Sequence, residues 1–451
     1  MEAKTFDQAL THTSRRVYVI AVIAGMAVIF DGFDLQALAY TLPKLVQEWH
    51  ISSVEAGLLA SYTFTGLFVG AVGLGAAGDR WGRKRMLVVG IMVFALFMGS
   101  AGFAQSYHQF AVLRFCAAVG MGGVLPGAIT MMSEYTPSAF RGRIVAIGGG
   151  CFTLGFSVAA LLAMAIVPEY GWRPMFHLSY LALVVAALVA WVVPETPQYL
   201  ASKGRYDEAF ATVRRVLPDA GAVPEGVSPR AYFAVEDEEA GRKSFRTLWA
   251  PRYLRLTVLV SLLYLFLQFV VYALDFWMVS LLVRNGMSLV GSYGYAIEQA
   301  LAATVGGFVI GWFLDRFDKR LVMAIAFAGG GVCLFLFGLT ESTVMLYVLN
   351  ALAGGLIIGG QNVVHTLVMG TYATEMRATG LGWALGVGRL GGILGPLVGG
   401  FLLDLDLPYP VYFIAFAIPA LLSCVTTLGL WAAQVHQQRR EHSAPQPAEA
   451  A

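Results

Sequence analysis

Residues 78–85 read GDRWGRKR, and residues 314–320 read LDRFDKR, so that Asp79 and Asp315 correspond at a shift of 236. A second pair of stretches keeps nearly the same spacing: YTPSAFRG at 135–142 is echoed by YATEMRATG at 372–380, a shift of 237. Two independent matches at almost one offset mark an internal duplication. Whatever the first half folds into, the second half is expected to fold into as well.

The material around these motifs is apolar. Of 451 residues, 58% are hydrophobic and 13% charged, against roughly 25% charged in an average soluble domain. The mean hydropathy of +0.68 agrees. A soluble globule of this length cannot hide so much apolar surface, whereas a bilayer can. A net charge of +2 lacks the strong basicity of a nucleic-acid binder. Cys116, Cys151, Cys333 and Cys424 fall inside apolar runs without paired or metal-type spacing, which reads as core packing. The first apolar segment is too long for a cleavable signal and no small-residue cleavage site follows it, so a retained transmembrane helix is expected. There is no G-x-x-x-x-G-K-[ST] phosphate loop and no histidine pair at metal-ligand spacing, so no enzyme activity, metal or cofactor is expected.

A crossing helix needs about 20 apolar residues. Twelve runs qualify: 17–40, 54–77, 85–105, 109–132, 143–167, 174–194, 254–284, 289–313, 321–340, 343–371, 379–402 and 409–433. Basic residues collect in alternate connections. Arg15 and Arg16 precede the first run, Arg80, Arg83, Lys84 and Arg85 follow the second, and Arg141 and Arg143 follow the fourth. The intervening AQSYHQ (104–109) and DLDLPYP (404–410) have none. This alternation predicts cytoplasmic termini. The connection 196–252, with nine Lys or Arg and eight Asp or Glu, divides a six-helix half (1–195) from another (253–435). Within it Phe210, Val213 and Leu217 form a short amphipathic stripe, and residues 436–451 read as a disordered tail. Two related six-helix halves are the pattern of a transporter that rocks around a central site.

A twelve-span chain with Gly78-Asp79-Arg80-x-Gly82-Arg83-Lys84-Arg85 after its second span resembles the major facilitator superfamily. DGFD (31–34), RFCAAVGMGGVLP (114–126), SEYTP (133–137) and RATGLGWALGVGRLGGILGP (377–396) resemble, more narrowly, its aromatic acid:proton symporter family. There are departures: Gly127 and Ala373 stand where relatives often carry Asn and Pro, and the seventh span lacks the expected Trp-x-Pro but contains Asp275. The resemblance implies an all-α fold of two six-helix pseudo-repeats, in which spans 1, 4, 7 and 10 line a central cavity. It also implies that Asp79, Arg80, Arg83 and Arg85, with Gly78 and Gly82 in the same motif, join Glu134 and Arg377 in an inner ion-pair network that gates the cycle.

The charges inside the spans carry the functional expectation. Each costs at least ~2.5 kcal/mol at the bilayer centre. Asp31 and Asp34 share a face of the first helix, and Arg114 in the fourth lies at a depth similar to Asp34. Arg114 is expected to neutralise one carboxylate while the other, with Asp31 favoured, takes up a proton. A free carboxyl titrates near pH 3.9 and holds no proton at neutrality, so a proton carrier requires burial and a neighbouring carboxylate. Arg389 in the eleventh span is the first choice for an anionic substrate, shared with Arg114. Gln361, Asn362 and His365 offer hydrogen bonds in the tenth span, and His365 is equally a proton relay or a satisfied core histidine. Asp275 and Glu298, acids without an obvious basic partner, are further substrate-side candidates that balance Arg389, add proton sites or receive a positive group.

The combined expectation is a monomeric, proton-coupled importer of a small aromatic carboxylate such as a hydroxybenzoate, in a bacterial inner membrane. An exporting antiporter, a carrier of another organic acid or sugar-like solute, and a non-transporting sensor stand as alternatives at this point.

Overall fold

The computed structural model describes residues 14–136, 138–216, 233, 245–373 and 376–443. Among these, twelve helices are long and apolar enough to cross a membrane: α1 (Arg15–Trp49), α2 (Ser53–Trp81), α3 (Arg83–Ala101), α4 (Tyr107–Glu134), α5 (Ile147–Tyr170), α6 (Arg173–Val192), α7 (Pro251–Arg284), α8 (Leu289–Leu314), α9 (Lys319–Leu339), α10 (Thr343–Met369), α11 (Thr379–Asp404) and α12 (Tyr409–Val435). Each expected span has its helix. Local chemistry sets several starts. Ser14, Ser52, Ser106, Asp318 and Ser342 cap α1, α2, α4, α9 and α10 by accepting from backbone N–H groups of the first turn. Ser52 and Glu55 complete a reciprocal capping box.

α1 runs past its apolar core to Trp49 because its end is pinned. Glu48 accepts from Trp172 Nε1 at 2.7 Å and from both Arg173 guanidinium nitrogens at 2.9 and 2.6 Å. Beneath that anchor Trp49, Phe110, Trp172 and Phe176 pack edge to face, with centroids 5.0–5.6 Å apart. In the connection after α6, helix Tyr206–Val216 buries Ala209, Val213 and Val216, while Phe210 packs on Phe233; Leu217 lies outside the described residues. The last helix continues to Ser443, so the stretch from 436, rich in good helix formers, belongs to it. Residues 444–451 lie outside the described part.

The chain groups into two compact units, Met1–Asp237 with Asp275–Ile297, and Glu238–Leu274 with Glu298–Ala451. The duplication is written into how helices touch within each. A Cβ on Gly155 of α5 would meet Ile29 O and Phe33 N of α1 at 2.3 and 2.7 Å. A Cβ on Gly391 of α11 would meet Leu265 O and Phe269 N of α7 at 2.2 and 2.8 Å. All three residues of the second contact stand at the offset that relates Asp315 to Asp79. Likewise a Cβ on Gly70 would lie 2.0 Å from Val119 O, and one on Gly306 2.2 Å from Gly355 O. These are backbone-to-backbone contacts that only glycine permits. Of the α11 glycines, Gly391 and Gly395 make such close contacts, whereas no described residue lies within 4 Å of a Cβ at Gly382 or Gly386.

One such contact has no counterpart in the second half. Gly32, between the two acids of DGFD, would place a Cβ 2.1 Å from Phe152 O. The glycine thus seats α1 against α5 where the carboxylates stand. Gly32→Ala is expected to cost about 1–3 kcal/mol by overpacking, lowering the thermal midpoint of the purified protein. Gly73→Ala, with nothing within 4 Å, should leave it within error; equal midpoints for the two variants would contradict this reading.

Candidate functional site

Four helices of the first unit converge on a buried ion pair. Arg114 on α4 and Asp34 on α1 are each 1% exposed. The guanidinium donates to Asp34 Oδ1 at 2.5 Å, to Thr63 Oγ1 of α2 at 3.2 Å, and to Met98 Sδ of α3 at 3.0 Å. Asp31, 3% exposed, lies one turn earlier on the face that carries Asp34. Asp34 Oδ2 and Arg114 Nε have no hydrogen-bond partner among the described residues. The pair is therefore charge-compensated but only partly satisfied. Breaking such a pair, or protonating Asp34 beside the permanent guanidinium, strands a charge in a dry interior, so the contact holds Asp34 ionised.

Asp275 also belongs to the first unit. It is half-buried on α7, close enough to Tyr40 of α1 to act on it electrostatically, and Tyr40 O accepts from Tyr293 Oη of α8 at 2.8 Å.

In the second unit, His365 of α10 stacks on Tyr264 of α7, whose hydroxyl meets His365 Nδ1 at 2.5 Å. Gln361 lies one turn before His365, and its buried Oε1 has no hydrogen-bond partner among the described residues. Arg389 on α11 is half-buried and forms no hydrogen bond or ion pair with any described residue. Its neighbour Gly388 lies against Tyr264 and Gln268. Asn362 is exposed and lies beside Gly307 of α8, on a different face of α10 from Gln361 and His365. Glu298 of α8 has a partner invisible to sequence pattern: Asn350 Nδ2 of α10 donates to Glu298 Oε2 at 2.7 Å.

The motif at 78–85 is held by a residue that sequence reasoning missed. Gly82 sits at φ +115°, and a Cβ there would lie 2.3 Å from Glu195 Oε2. Glu195, in PETPQYL after α6, accepts the Lys84 backbone N–H at 2.9 Å. In the second half Asp318 does this locally, accepting from Arg320 N at 2.9 Å. Gly82 and Asp318 occupy the same repeat position, so the first half has exchanged its own cap for a carboxylate far along the chain. Around this contact Arg83 pairs with Glu134, Tyr135 Oη donates to Pro194 O and Glu195 O at 3.0 Å, and Tyr199 Oη donates to Arg80 O at 3.1 Å. Asp79 acts electrostatically on Arg83, Gly82 N–H reaches Gly78 O at 3.0 Å, and Arg85 lines a cleft with Glu195 and Tyr199. Arg377 lies in the second unit, where its Nε donates to Tyr372 O at 3.4 Å.

The family model of the Major Facilitator Superfamily matches residues 24–298 and 289–451. The chain belongs to that superfamily. It is 32% identical over 434 residues to the benzoate transport protein of Acinetobacter baylyi, covering 93% of this chain and 90% of that one. It is 31% identical to the 4-hydroxybenzoate transporter PcaK of Pseudomonas aeruginosa, covering 91% of each. Within the superfamily it therefore falls in the aromatic acid transporter family. The partially occluded, inward-open xylose transporter XylE from E. coli shares its fold, with a TM-score of 0.73 at 15% identity over 92% of this chain and 99% of that chain. The chain is thus an integral, multi-pass membrane transporter of this superfamily.

The Gly82–Glu195 contact generates a test. Glu195→Ala removes the acceptor of the α3 N-terminus and should cost about 1 kcal/mol, as loss of an N-cap does, with Glu195→Gln costing less. Gly82→Ala should cost more than Glu195→Ala, because it adds both a clash and a positive-φ strain. Thermal unfolding of this facilitator in detergent measures the order; Gly82→Ala proving neutral would overturn it.

Proposed function

We propose that the chain imports a small aromatic carboxylate, such as benzoate or a hydroxybenzoate, together with protons across a bacterial cytoplasmic membrane. The observation that carries this is the buried Arg114–Asp34 pair with Asp31 one turn away. In this reading Arg114 keeps Asp34 charged and Asp31 carries the proton. Aromatic acids named for the relatives at 31–32% identity support the substrate class. Arg389 takes the substrate carboxylate, because a guanidinium without a partner among the described residues can fork onto two carboxylate oxygens. The Tyr264–His365 pair and Gln361 supply hydrogen bonds for ring substituents. The network of Asp79, Arg83, Glu134 and Glu195 acts as the inner gate, on the side of the cytoplasmic termini.

The charge arithmetic favours coupling. A monoanion entering against an inside-negative potential loses ~2.3 kcal/mol per 100 mV, and one accompanying proton cancels that penalty. Nothing in this cycle requires bond chemistry or a cofactor; binding and proton exchange suffice.

Purified protein in proteoliposomes should accumulate labelled benzoate or 4-hydroxybenzoate under an inward proton gradient. Depletion under the same gradient would instead indicate an exporting antiporter. Asp31→Asn should abolish gradient-driven accumulation while sparing benzoate exchange; wild-type accumulation by this variant would remove Asp31 from the carrier role. Arg389→Ala should weaken substrate affinity roughly 10- to 100-fold, the worth of a hydrogen bond to a charged group. Unchanged affinity would exclude Arg389 from substrate contact.

A further inference from the structure

The internal repeat gives each half a polar site at a matching position. Arg114 on α4 and Asn350 on α10 stand at the same offset as the paired glycine contacts, Gly155 with Gly391 and Gly70 with Gly306. Each is 1% exposed, and each donates to a carboxylate on another helix of its own unit. Arg114 serves Asp34; Asn350 serves Glu298 at 2.7 Å. At one repeat position, then, the first half places a permanent cation against its acid and the second half places a neutral amide.

That difference decides what the acid can do. A guanidinium has only donors, so it fits an ionised carboxylate and opposes its protonation. A carboxamide carries both a donor and an acceptor. Asn350 can hydrogen-bond ionised Glu298 through Nδ2 and, with the amide rotated, accept the O–H of protonated Glu298 through Oδ1. Glu298 is half-buried within a membrane-spanning helix and forms no ion pair with any described residue. Its hydrogen-bond partner, Asn350 from α10, is uncharged, and its chain neighbour Gln299 is buried. Gln299 in turn lies against Gly354, the first residue of a π-helical turn at Gly354–Ile358 within α10. Such a turn leaves the backbone hydrogen bonds of α10 irregular one helical turn from Asn350.

We propose that Glu298, held by Asn350, is a second proton-carrying site, separate from Asp31 and Asp34, so that two protons enter with each aromatic monocarboxylate. The inference rests on the importer reading above. The balance is simple: one anion and two protons move inward, no covalent bond is made or broken, and one net positive charge enters per cycle. The inside-negative potential then drives uptake rather than merely failing to oppose it.

The experiment imposes the two driving forces separately on proteoliposomes containing the full chain, with labelled benzoate as the probe. Wild type should respond to a pH step at clamped potential and also to an inside-negative potassium diffusion potential without a pH step. Glu298→Gln should keep the first response and lose the second, because one proton with one anion carries no net charge. For a one-unit pH step the ceiling on accumulation should fall from about a hundredfold to about tenfold. Glu298→Asp, which keeps a titratable group, should restore the response to potential. Benzoate exchange without gradients reports whether each variant is folded and binds; loss of exchange in Glu298→Gln would assign Glu298 a structural role and overturn the proposal. So would a Glu298→Gln variant that still answers the potential as wild type does. A wild type driven by pH but blind to potential would overturn this inference alone, whereas a wild type that moves benzoate under neither gradient would overturn the importer reading together with it.

Discussion

A carboxylate inside a bilayer must be neutralised, either by a cation held against it or by a proton, and the arrangement around Asp34 follows from that constraint. Arg114 supplies the cation, and it reaches Asp34 only because α1, α2, α3 and α4 converge closely enough for one guanidinium to touch Asp34, Thr63 and Met98 together. Close convergence in turn requires small residues. Gly66 and Gly70 of α2 meet backbone of α4, and Gly32 meets backbone of α5. The glycine in DGFD is thus part of the same device as the two acids flanking it: it sets the helix position that the charges depend on. In lipid no hydrophobic force drives helices together, so this contact geometry, with the hydrogen bonds it permits, holds the unit.

Duplication gave the second unit the same scaffold and left the chemistry free to diverge. Glycine contacts recur at a constant offset, yet the positions corresponding to Asp31 and Asp34 are Leu267 and Val270, and that of Arg114 is Asn350. The second unit carries its polar groups elsewhere, in Glu298–Asn350, in Tyr264–His365 and in Arg389. The Gly82–Glu195 contact shows the same divergence in a loop. There the second half caps α9 with its own Asp318, while the first half borrows Glu195. Borrowing ties the α2–α3 connection to the segment after α6, and a contact between distant segments can be made and broken as a unit when helices move.

Much of this was legible in the sequence, for identifiable reasons. Hydropathy alone located the twelve helices, because a bilayer imposes a length on every apolar run. The repeat was visible in two short motifs, and the depth argument brought Asp34 and Arg114 together because every residue of a helix advances it by the same fixed rise. What stayed hidden depended on rotation and on distant contacts. Asn362 lies in a polar cluster by sequence but is turned toward Gly307 of α8. Glu298 looked partnerless because its partner is a neutral Asn on another helix. Glu195 carried no signal of its own, since its role arises from the missing side chain of Gly82. Extending the repeat offset to every polar position would have found Asn350 opposite Arg114, a signal present in the sequence and not used.

The central claim is that Asp31, beside a charge-locked Asp34, takes up a proton as the substrate binds. The most direct measurement is net proton uptake on adding benzoate to the purified carrier in weakly buffered solution with a pH indicator. The account predicts uptake from bulk water in the wild type that is diminished in Asp31→Asn although benzoate still binds. Equal proton uptake in the two proteins, or none in the wild type despite saturable binding, would contradict it.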